Sequence, residues 1–160
     1  MQKQFCYFSQ SNLWGSLWTN RTIEHELETC DIHSPLKELF LSYLPVDGKI
    51  LEAGCGLGRW VIFLKQHGYD IVGIDSNELA IAKLKDFDES LQVESGEVLG
   101  IHYPDNYFDA YISLDVVEHF EDGPNSALKE AHRILKPNGL IFVSVPTVNI
   151  IRKMLVIKIK

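Results

Sequence analysis

The sequence predicts an α/β protein with a doubly wound, mostly parallel, Rossmann-like sheet that carries helices on both faces. Strand-like apolar runs alternate with helical segments from residue 49 onward. Within the run 70–75, residues 71–74 are continuously apolar, as in a strand that is buried on both faces. A glycine turn from Gly54 to Gly58 lies between the first strand and the helix after it. The 160 residues, 46% of them hydrophobic, suit one such domain.

The predicted elements follow one another in the order that such a sheet requires. Two short helices come first, at 22–29 and 35–43, and Ser34 is the predicted N-cap of the second. Lys136-Pro137-Asn138-Gly139 predicts the turn into the last strand. The elements between are strand 49–53, helix 59–67, strand 70–75, helix 77–87, strand 91–95, strand 107–113, helix 124–135 and strand 139–145.

These elements divide the chain into three segments. Residues 1–46 form an aromatic-rich helical cover, and its aromatic start is either a lid over a ligand or a layer packed on the sheet. Residues 47–148 form the Rossmann-like core. Residues 149–160 form a basic and apolar tail whose spacing fits an edge strand or an amphipathic helix equally well.

Charge and cysteine content exclude several classes of protein. The net charge is −7, and the tail carries four basic residues and no acid, which leaves −11 on residues 1–148. Such a body repels nucleic acid, so a nucleic-acid substrate is disfavoured. Cys6, Cys30 and Cys55 show no pairing typical of disulfides or zinc sites. With neither a secretion signal nor an apolar run long enough for a membrane span, we expect a cytoplasmic protein.

The glycine turn and Asp75 together predict a site for a nucleoside cofactor. Glycines let a ligand approach the backbone, and the helix that follows offers unpaired N–H groups to an anionic group. Asp75 ends the second strand, where its carboxylate would accept both ribose hydroxyls. The spacing is G-x-G-x-G, because Arg59 stands where a dinucleotide fingerprint requires its third glycine.

This pattern resembles the first motif of class I S-adenosylmethionine (SAM) dependent methyltransferases. The resemblance covers residues 47–146 and continues in Ser95-Gly96-Glu97-Val98, in Ser113 to Phe120 and in Ala127 to Pro146. It implies SAM as cofactor and S-adenosylhomocysteine as product. It implies cofactor contacts from Glu52, Gly54, Cys55, Gly56, Gly58, Arg59, Asp75, Ser76, Glu97, Val98 and Leu114.

The resemblance also implies a role for individual residues. Glu52 would reach the amino group of the cofactor, and its carboxylate beside the glycine turn favours a cationic ligand. Glu97 would accept from the adenine amino group while the N–H of Val98 meets the ring. Arg59, or Arg21 from the N-terminal helix, would pair with the cofactor carboxylate. Among the contact residues, Cys55 is expected to be a small packing residue rather than a nucleophile.

The catalytic candidates follow the fourth strand. His119 is the candidate base because its ordinary pKa lies near neutrality, and Asp115 stands close to it in the sequence. The alternative is that His119 only packs beside the cofactor or caps a loop. Asp115, Glu118 and His119 form D-x-x-E-H, which is similar to the E-x-x-E-H element with which some ubiquinone-pathway O-methyltransferases hold a divalent ion. The departure is Asp115 in place of the first Glu, so a metal stays an alternative.

The sequence thus predicts an enzyme that moves a methyl group from SAM to an oxygen or nitrogen of a small-molecule acceptor. One alternative is a non-catalytic SAM-binding or truncated protein that acts through a partner, and a lesser one is a nucleotide-dependent oxidoreductase. The family normally adds an antiparallel pair of strands, six and seven, most of which is lacking here. An uncovered fifth strand would be a hydrophobic edge, so we expect docking of the tail or a homodimer.

Overall fold

One six-stranded sheet organises the computed structural model, which describes residues 21–32, 34–145 and 154–158. Five strands are parallel, and the sixth is antiparallel to the fifth. They are β1 Lys49–Ala53, β2 Asp70–Asp75, β3 Val93–Ser95, β4 Phe108–Leu114, β5 Leu135–Ser144 and β6 Met154–Lys158. Their order across the sheet is β3-β2-β1-β4-β5-β6. The predicted Rossmann-like α/β class is confirmed.

Five helices and one 3₁₀ turn, Val117–His119, complete the described part of the chain. The helix predicted at 22–29 continues to residue 32, three residues further than its sequence pattern indicated. The helices are α1 Ile23–Ile32, α2 Ser34–Tyr43, α3 Arg59–Gln66, α4 Glu78–Phe87 and α5 Asn125–Ile134.

Two strand boundaries differ from the prediction by more than one residue, and hydrogen bonds explain both. β3 starts at residue 93 rather than 91, because the N–H of Leu91 closes a turn on the carbonyl of Asp88 at 3.0 Å. β5 starts at residue 135 rather than 139, because Leu135 already pairs with Phe108. The predicted turn 136–139 is therefore a bulge inside β5, and regular pairing with β4 resumes at Leu140.

Apolar side chains fill both faces of the sheet. On one face, α1 to α4 bury Ile23, Phe40, Trp60 and Leu84 against β-strand residues such as Ile50. Phe40 of α2 contacts Trp60 and Phe142 edge to face, with ring centroids 4.9 and 5.4 Å apart. On the other face, α5 packs over the sheet through Ala127, Ala131 and Ile134. Because α2 packs directly on the sheet, it belongs to a cover layer, whereas the aromatic start, residues 1–20, lies outside the described residues.

The tail contributes the strand at the edge of β5. β6 pairs with β5 from Leu140↔Lys158 to Ser144↔Met154. Of the two tail conformations left open by the sequence, the structure shows the strand, and it covers the edge that we expected to be exposed. Pairing with a second chain stays a prediction. Among the described residues, no helix has the length and apolar character needed to cross a membrane.

Candidate active site

The order of the strands locates the site. The sheet runs from β1 toward β2 and β3 on one side and toward β4 and β5 on the other. In open α/β sheets, ligands bind at the carboxyl ends of the strands, at the point where the strand order reverses. That point lies between β1 and β4, so the glycine turn after Ala53 and the segment after Leu114 face one crevice.

The glycines of the turn adopt backbone conformations that side chains disfavour. Gly54, Gly56 and Gly58 have φ of 80°, 54° and 68°, all in the left-handed region. A Cβ on Gly54 would lie 2.4 Å from Cγ2 of Val116, and one on Gly58 would lie 2.6 Å from Cδ2 of Leu84. Neighbouring side chains therefore fill the space at these two glycines. Our explanation that ligand approach requires glycine was incomplete, because φ and packing already require it there.

Asp75 joins the glycine turn to α4. Its Oδ2 accepts a hydrogen bond from the N–H of Gly56 at 2.8 Å, and its Oδ1 accepts one from the N–H of Asn77 at 2.8 Å. Asn77 in turn caps α4 by accepting from the N–H groups of Leu79 and Ala80. Each carboxylate oxygen keeps a second lone pair for a ribose hydroxyl. Ser76, between these two residues, is exposed at the same corner.

Glu52 is a buried acid at the end of β1. Only 4% of its surface is exposed, and its Oε2 receives no hydrogen bond from the described residues. Burial raises the pKa of Glu52 to about 8, against the opposing effects of the Arg59 guanidinium and a hydrogen bond from the backbone of Val61. A ligand ammonium at Oε2 would supply both the missing donor and the missing charge, so Glu52 fits the cofactor that the resemblance implies.

Glu26 of α1 is a site residue that the sequence analysis missed. It is only 6% exposed, and its Oε1 accepts from Nη1 of Arg21 at 3.1 Å. Its Oε2 lies 3.9 Å from Nε of Arg59, so both arginines predicted to pair with a cofactor carboxylate face this acid. No sequence signal marked Glu26, since the helical pattern of 22–29 does not separate a buried acid from an exposed one.

The Cys55 side chain lies in the packing between the turn and β2. A Cβ on Gly73 would lie 2.9 Å from Sγ of Cys55, so this glycine makes room for the thiol. Cys55 is 7% exposed, and burial together with the charges of Glu52 and Asp75 raises the pKa of its thiol well above the ordinary value. The thiolate is thereby disfavoured, which agrees with a packing role.

Asp115 lies just beyond β4 in a strained conformation. Its φ is 55°, and its N–H donates to the carbonyl and to the Oγ of Ser144, at 3.1 and 3.2 Å. The Ser144 hydroxyl donates back to Oδ1 of Asp115 at 3.1 Å. Left-handed backbone at a residue other than glycine persists where neighbours hold it. Ser144 of β5, which the sequence analysis did not single out, thus holds Asp115 beside half-buried Leu114 at the edge of the crevice.

Glu118 and His119 lie on the 3₁₀ turn that follows. Nε2 of His119 is 3.8 Å from Oε1 of Glu118, and both side chains are partly buried. The described residues, which include Asp115, contain no group of three His, Cys, Asp or Glu side chains arranged to hold a metal ion. The metal hypothesis for D-x-x-E-H is therefore not supported, since Asp115 is engaged by Ser144 while Glu118 and His119 lie on a separate turn.

Glu97 and Val98 follow β3 at the same edge of the sheet. The N–H of Gly96 donates to the carbonyl of Asp75 at 3.1 Å, which ties this segment to the end of β2. Val98 is buried among Ile74 and Ile101, whereas Glu97 is exposed. The structure therefore brings three predicted groups to one edge: the glycine turn, the end of β2 with the segment after β3, and the segment after β4.

Comparison with known proteins identifies the family. A family model described as a methyltransferase domain matches residues 51–143, more than half of the chain. Among curated proteins, the ubiquinone biosynthesis O-methyltransferase of Pseudomonas entomophila is 34% identical over 102 residues, which are 60% of this chain and 43% of that protein. The chain thus spans less than half the length of the curated relatives it matches.

Solved structures share the same architecture. A protein from Pyrococcus horikoshii OT3 superposes with a TM-score of 0.68 at 28% identity, over 74% of this chain and 58% of that one. The [4+2]-cyclase SpnF superposes with a TM-score of 0.61 at 26% identity, over 69% of this chain and 44% of that one. The match to a methyltransferase domain over residues 51–143 does not support the alternative of a nucleotide-dependent oxidoreductase. The glycine turn, the strand order and the match over 51–143 agree: the chain belongs to the class I SAM-dependent methyltransferase family.

Proposed function

We propose that this chain binds SAM at the crevice between β1 and β4 and transfers its methyl group to an oxygen or nitrogen of a small molecule. The observation that carries the proposal is Glu52, whose buried Oε2 lacks a donor beside the glycine turn. The cofactor, when bound, supplies an activated methyl group on a sulfonium. An oxygen acceptor is favoured because the curated relatives are named O-methyltransferases.

The residues of the chain hold the two ends of this ligand. Glu52 accepts a hydrogen bond from the amino group of the methionine end. Arg59, which directly follows Gly58, or Arg21 pairs with the carboxylate of that end, and both arginines contact Glu26. Asp75 accepts the ribose hydroxyls on lone pairs that its backbone partners leave available. Gly54, Cys55, Gly56 and Gly58 shape the turn, and Ser76, Leu114, Glu97 and Val98 complete the contact set.

His119 takes the proton of the acceptor in this proposal. Glu118 lies 3.8 Å from Nε2 of the ring, where its carboxylate stabilises the imidazolium that forms. Asp115 is held at the crevice by Ser144 and orients the acceptor hydroxyl or amine. A small acceptor also agrees with the net charge of −7, which disfavours nucleic acid. The cytoplasmic location expected from the sequence and a homodimer stay predictions.

The competing proposal is a protein that binds SAM without methyl transfer. It is favoured by the likeness to SpnF, a protein of this fold that is named a cyclase rather than a methyltransferase. Ligand binding together with transfer of labelled methyl from SAM to an acceptor supports our proposal. Binding without transfer to any phenol, catechol or amine in a broad screen supports the competitor.

Thermal unfolding of the purified chain tests the cofactor. SAM or S-adenosylhomocysteine at about 100 times the dissociation constant adds about 2.7 kcal/mol to the unfolding free energy, which raises Tm by several degrees. NAD should give no shift. Asp75→Ala should abolish the shift, because the carboxylate that orders Gly56 and accepts the ribose hydroxyls is lost.

The matched control lies at the other end of the same strand. Asp70→Ala removes an equal charge from β2, but Asp70 pairs with Lys49 at 2.9 Å at the amino end of the sheet. This variant should keep the shift with S-adenosylhomocysteine. A wild-type chain with no shift from either adenosyl ligand would contradict the proposed function.

A further inference from the structure

The segment between β3 and β4, residues 96–107, carries Glu97 and Val98 yet contains no helix or strand of its own. Its start is tied to β2, because the N–H of Gly96 donates to the carbonyl of Asp75 at 3.1 Å. A turn follows, in which the N–H of Gly100 donates to the carbonyl of Glu97 at 3.2 Å. Irregular segments are mobile unless other contacts hold them. The part of the segment beyond Gly100 therefore needs contacts of its own.

Arg133 of α5 holds that other end. Its Nη2 donates to the carbonyl of Ile101 at 2.9 Å, and its Nη1 donates to the carbonyl of Tyr103 at 2.9 Å and to Oδ1 of Asp105 at 2.7 Å. Its own carbonyl accepts from the N–H of Asn106 at 3.0 Å. One arginine thus contacts four positions of the segment.

Arg133 and Glu130, which lies one helical turn earlier, together form a clamp on the segment. The two carboxylate oxygens of Glu130 accept from Nε and Nη2 of Arg133 at 2.9 and 2.7 Å, a bidentate pair. Its Oε1 also accepts from the N–H of Ile101 at 2.8 Å, so both polar backbone groups of Ile101 are bound by the pair. Hydrogen bonds from Arg133 lower the pKa of Glu130 and keep it ionised.

Apolar contacts strengthen the same attachment. Val98 and Ile101 are 7% and 5% exposed and lie in one cluster with Ala127 and Ala131 of α5. The segment from 97 to 101 is therefore fastened to the sheet at Gly96 and to α5 at Ile101. Neither Glu130 nor Arg133 lies at the crevice, so they act through the backbone that they hold.

We propose that Arg133 and Glu130 are positioning residues for the adenine end of the cofactor, so that the clamp sets selectivity for a 6-amino purine. This inference rests on the proposed function. Without the clamp, the carboxylate of Glu97 and the N–H of Val98 lose their fixed spacing. Both groups need that spacing to hydrogen-bond the amino group and the ring of adenine at the same time.

A single change in the ligand tests the selectivity. S-Inosylhomocysteine differs from S-adenosylhomocysteine in carrying hypoxanthine, which has an acceptor O6 in place of the amino donor and an N1–H in place of an acceptor. The acceptor O6 then faces the carboxylate of Glu97, which is also an acceptor, and the N1–H donor faces the N–H of Val98, which is also a donor. The wild-type chain should bind S-adenosylhomocysteine tighter than the inosyl analogue by about tenfold or more.

The experiment compares the dissociation constants of both ligands by calorimetry for wild type, Arg133→Gln and Arg133→Lys. Arg133→Gln should weaken S-adenosylhomocysteine binding and reduce the preference to about twofold, because the ribose and methionine contacts remain while the purine contacts loosen. Arg133→Lys should give an intermediate preference, since an ammonium replaces some bonds of the fork but not its geometry.

Lys136→Gln is the matched control. It removes a cation from the start of β5, but Lys136 pairs at 2.8 Å with Asp109 of β4, which lies outside the segment. This variant should keep the wild-type preference. If Arg133→Gln does not fold, Glu130→Gln is measured instead, and a preference clearly below wild type is expected.

A folded Arg133 or Glu130 variant with the full wild-type preference would overturn the inference and leave the proposed function intact. A wild-type chain that binds neither ligand would contradict both, and one that binds both equally would contradict selectivity alone. The outcomes therefore separate the clamp from the cofactor site.

Discussion

Replacing Glu52 by glutamine should remove a pH dependence from the stability of the ligand-free protein. Burial raises the pKa of Glu52 from 4.5 to about 8 in the folded chain. At a pH between these two pKa values, Glu52 keeps its proton in the folded chain but has released it in the unfolded chain. Stability therefore falls as pH rises through this window, and the loss is complete above the folded pKa. Glutamine resembles the protonated acid in shape and charge but does not titrate.

The size of the effect follows from the two pKa values. Each pH unit across the window costs about 1.4 kcal/mol, so wild type should lose about 4 kcal/mol relative to Glu52→Gln between pH 5 and pH 9. For a chain of this size, that free energy corresponds to a Tm difference that grows by about 10 °C. At pH 5 the two proteins should be nearly equal, and at pH 9 the variant should be the more stable.

The assay is thermal unfolding of both proteins from pH 5 to pH 9, followed by tryptophan fluorescence, since Trp60 is buried in the core. Subtracting the two Tm values at each pH removes the pH dependence that comes from the groups the two proteins share. Glu89→Gln serves as control, because it makes the same chemical change at an exposed residue on the loop after α4.

A constant difference between wild type and Glu52→Gln across this range would refute the reasoning. It would mean that Glu52 is ionised in the ligand-free protein, with Arg59 compensating its burial fully. An ammonium at Oε2 would then have no physical basis, although the family assignment would stand.

Two further predictions concern the segments on either side of the crevice. Gly54→Ala should lower the unfolding free energy by about 2–4 kcal/mol through its left-handed backbone and its contact with Val116, and Val116→Ala in that background should recover about 1–2 kcal/mol in chemical denaturation. No recovery would show that the backbone cost dominates. Ser144→Ala should reduce kcat about tenfold and leave the dissociation constant of S-adenosylhomocysteine unchanged, because only Asp115 loses its orientation. Equal kcat values would exclude the Ser144 hydroxyl from orienting Asp115 for the reaction.

Much of the site was predictable because it is local in the chain. The glycine turn and Asp75 stand at fixed distances from β1 and β2, and strand ends in a parallel sheet meet at one edge, so their proximity follows from the order of the elements. The boundary of β5 was not predictable in this way. Pro137 and Asn138 have the composition of a turn, but pairing of Leu135 with Phe108 draws them into a bulge of the strand.

The residues that the sequence analysis missed act across long separations. Ser144 holds Asp115 from 29 positions away, and Arg133 reaches Ile101 from 32. Serine and arginine are frequent surface residues, so neither type signals such a contact by itself. Glu130 and Arg133 stand at i and i+3 on one helix, and that spacing by itself predicts only a local ion pair.

By itself, the sequence determined the Rossmann-like class, the family and the turn at which a nucleoside cofactor is expected, because apolar periodicity and glycine spacing are local properties of the chain. Only the tertiary structure decided that Glu52 is buried with one oxygen lacking a donor, that Glu26 faces both arginines and that the tail pairs with β5. Burial, charge pairing and strand docking depend on which distant surfaces meet, and that information arises only when the chain has folded.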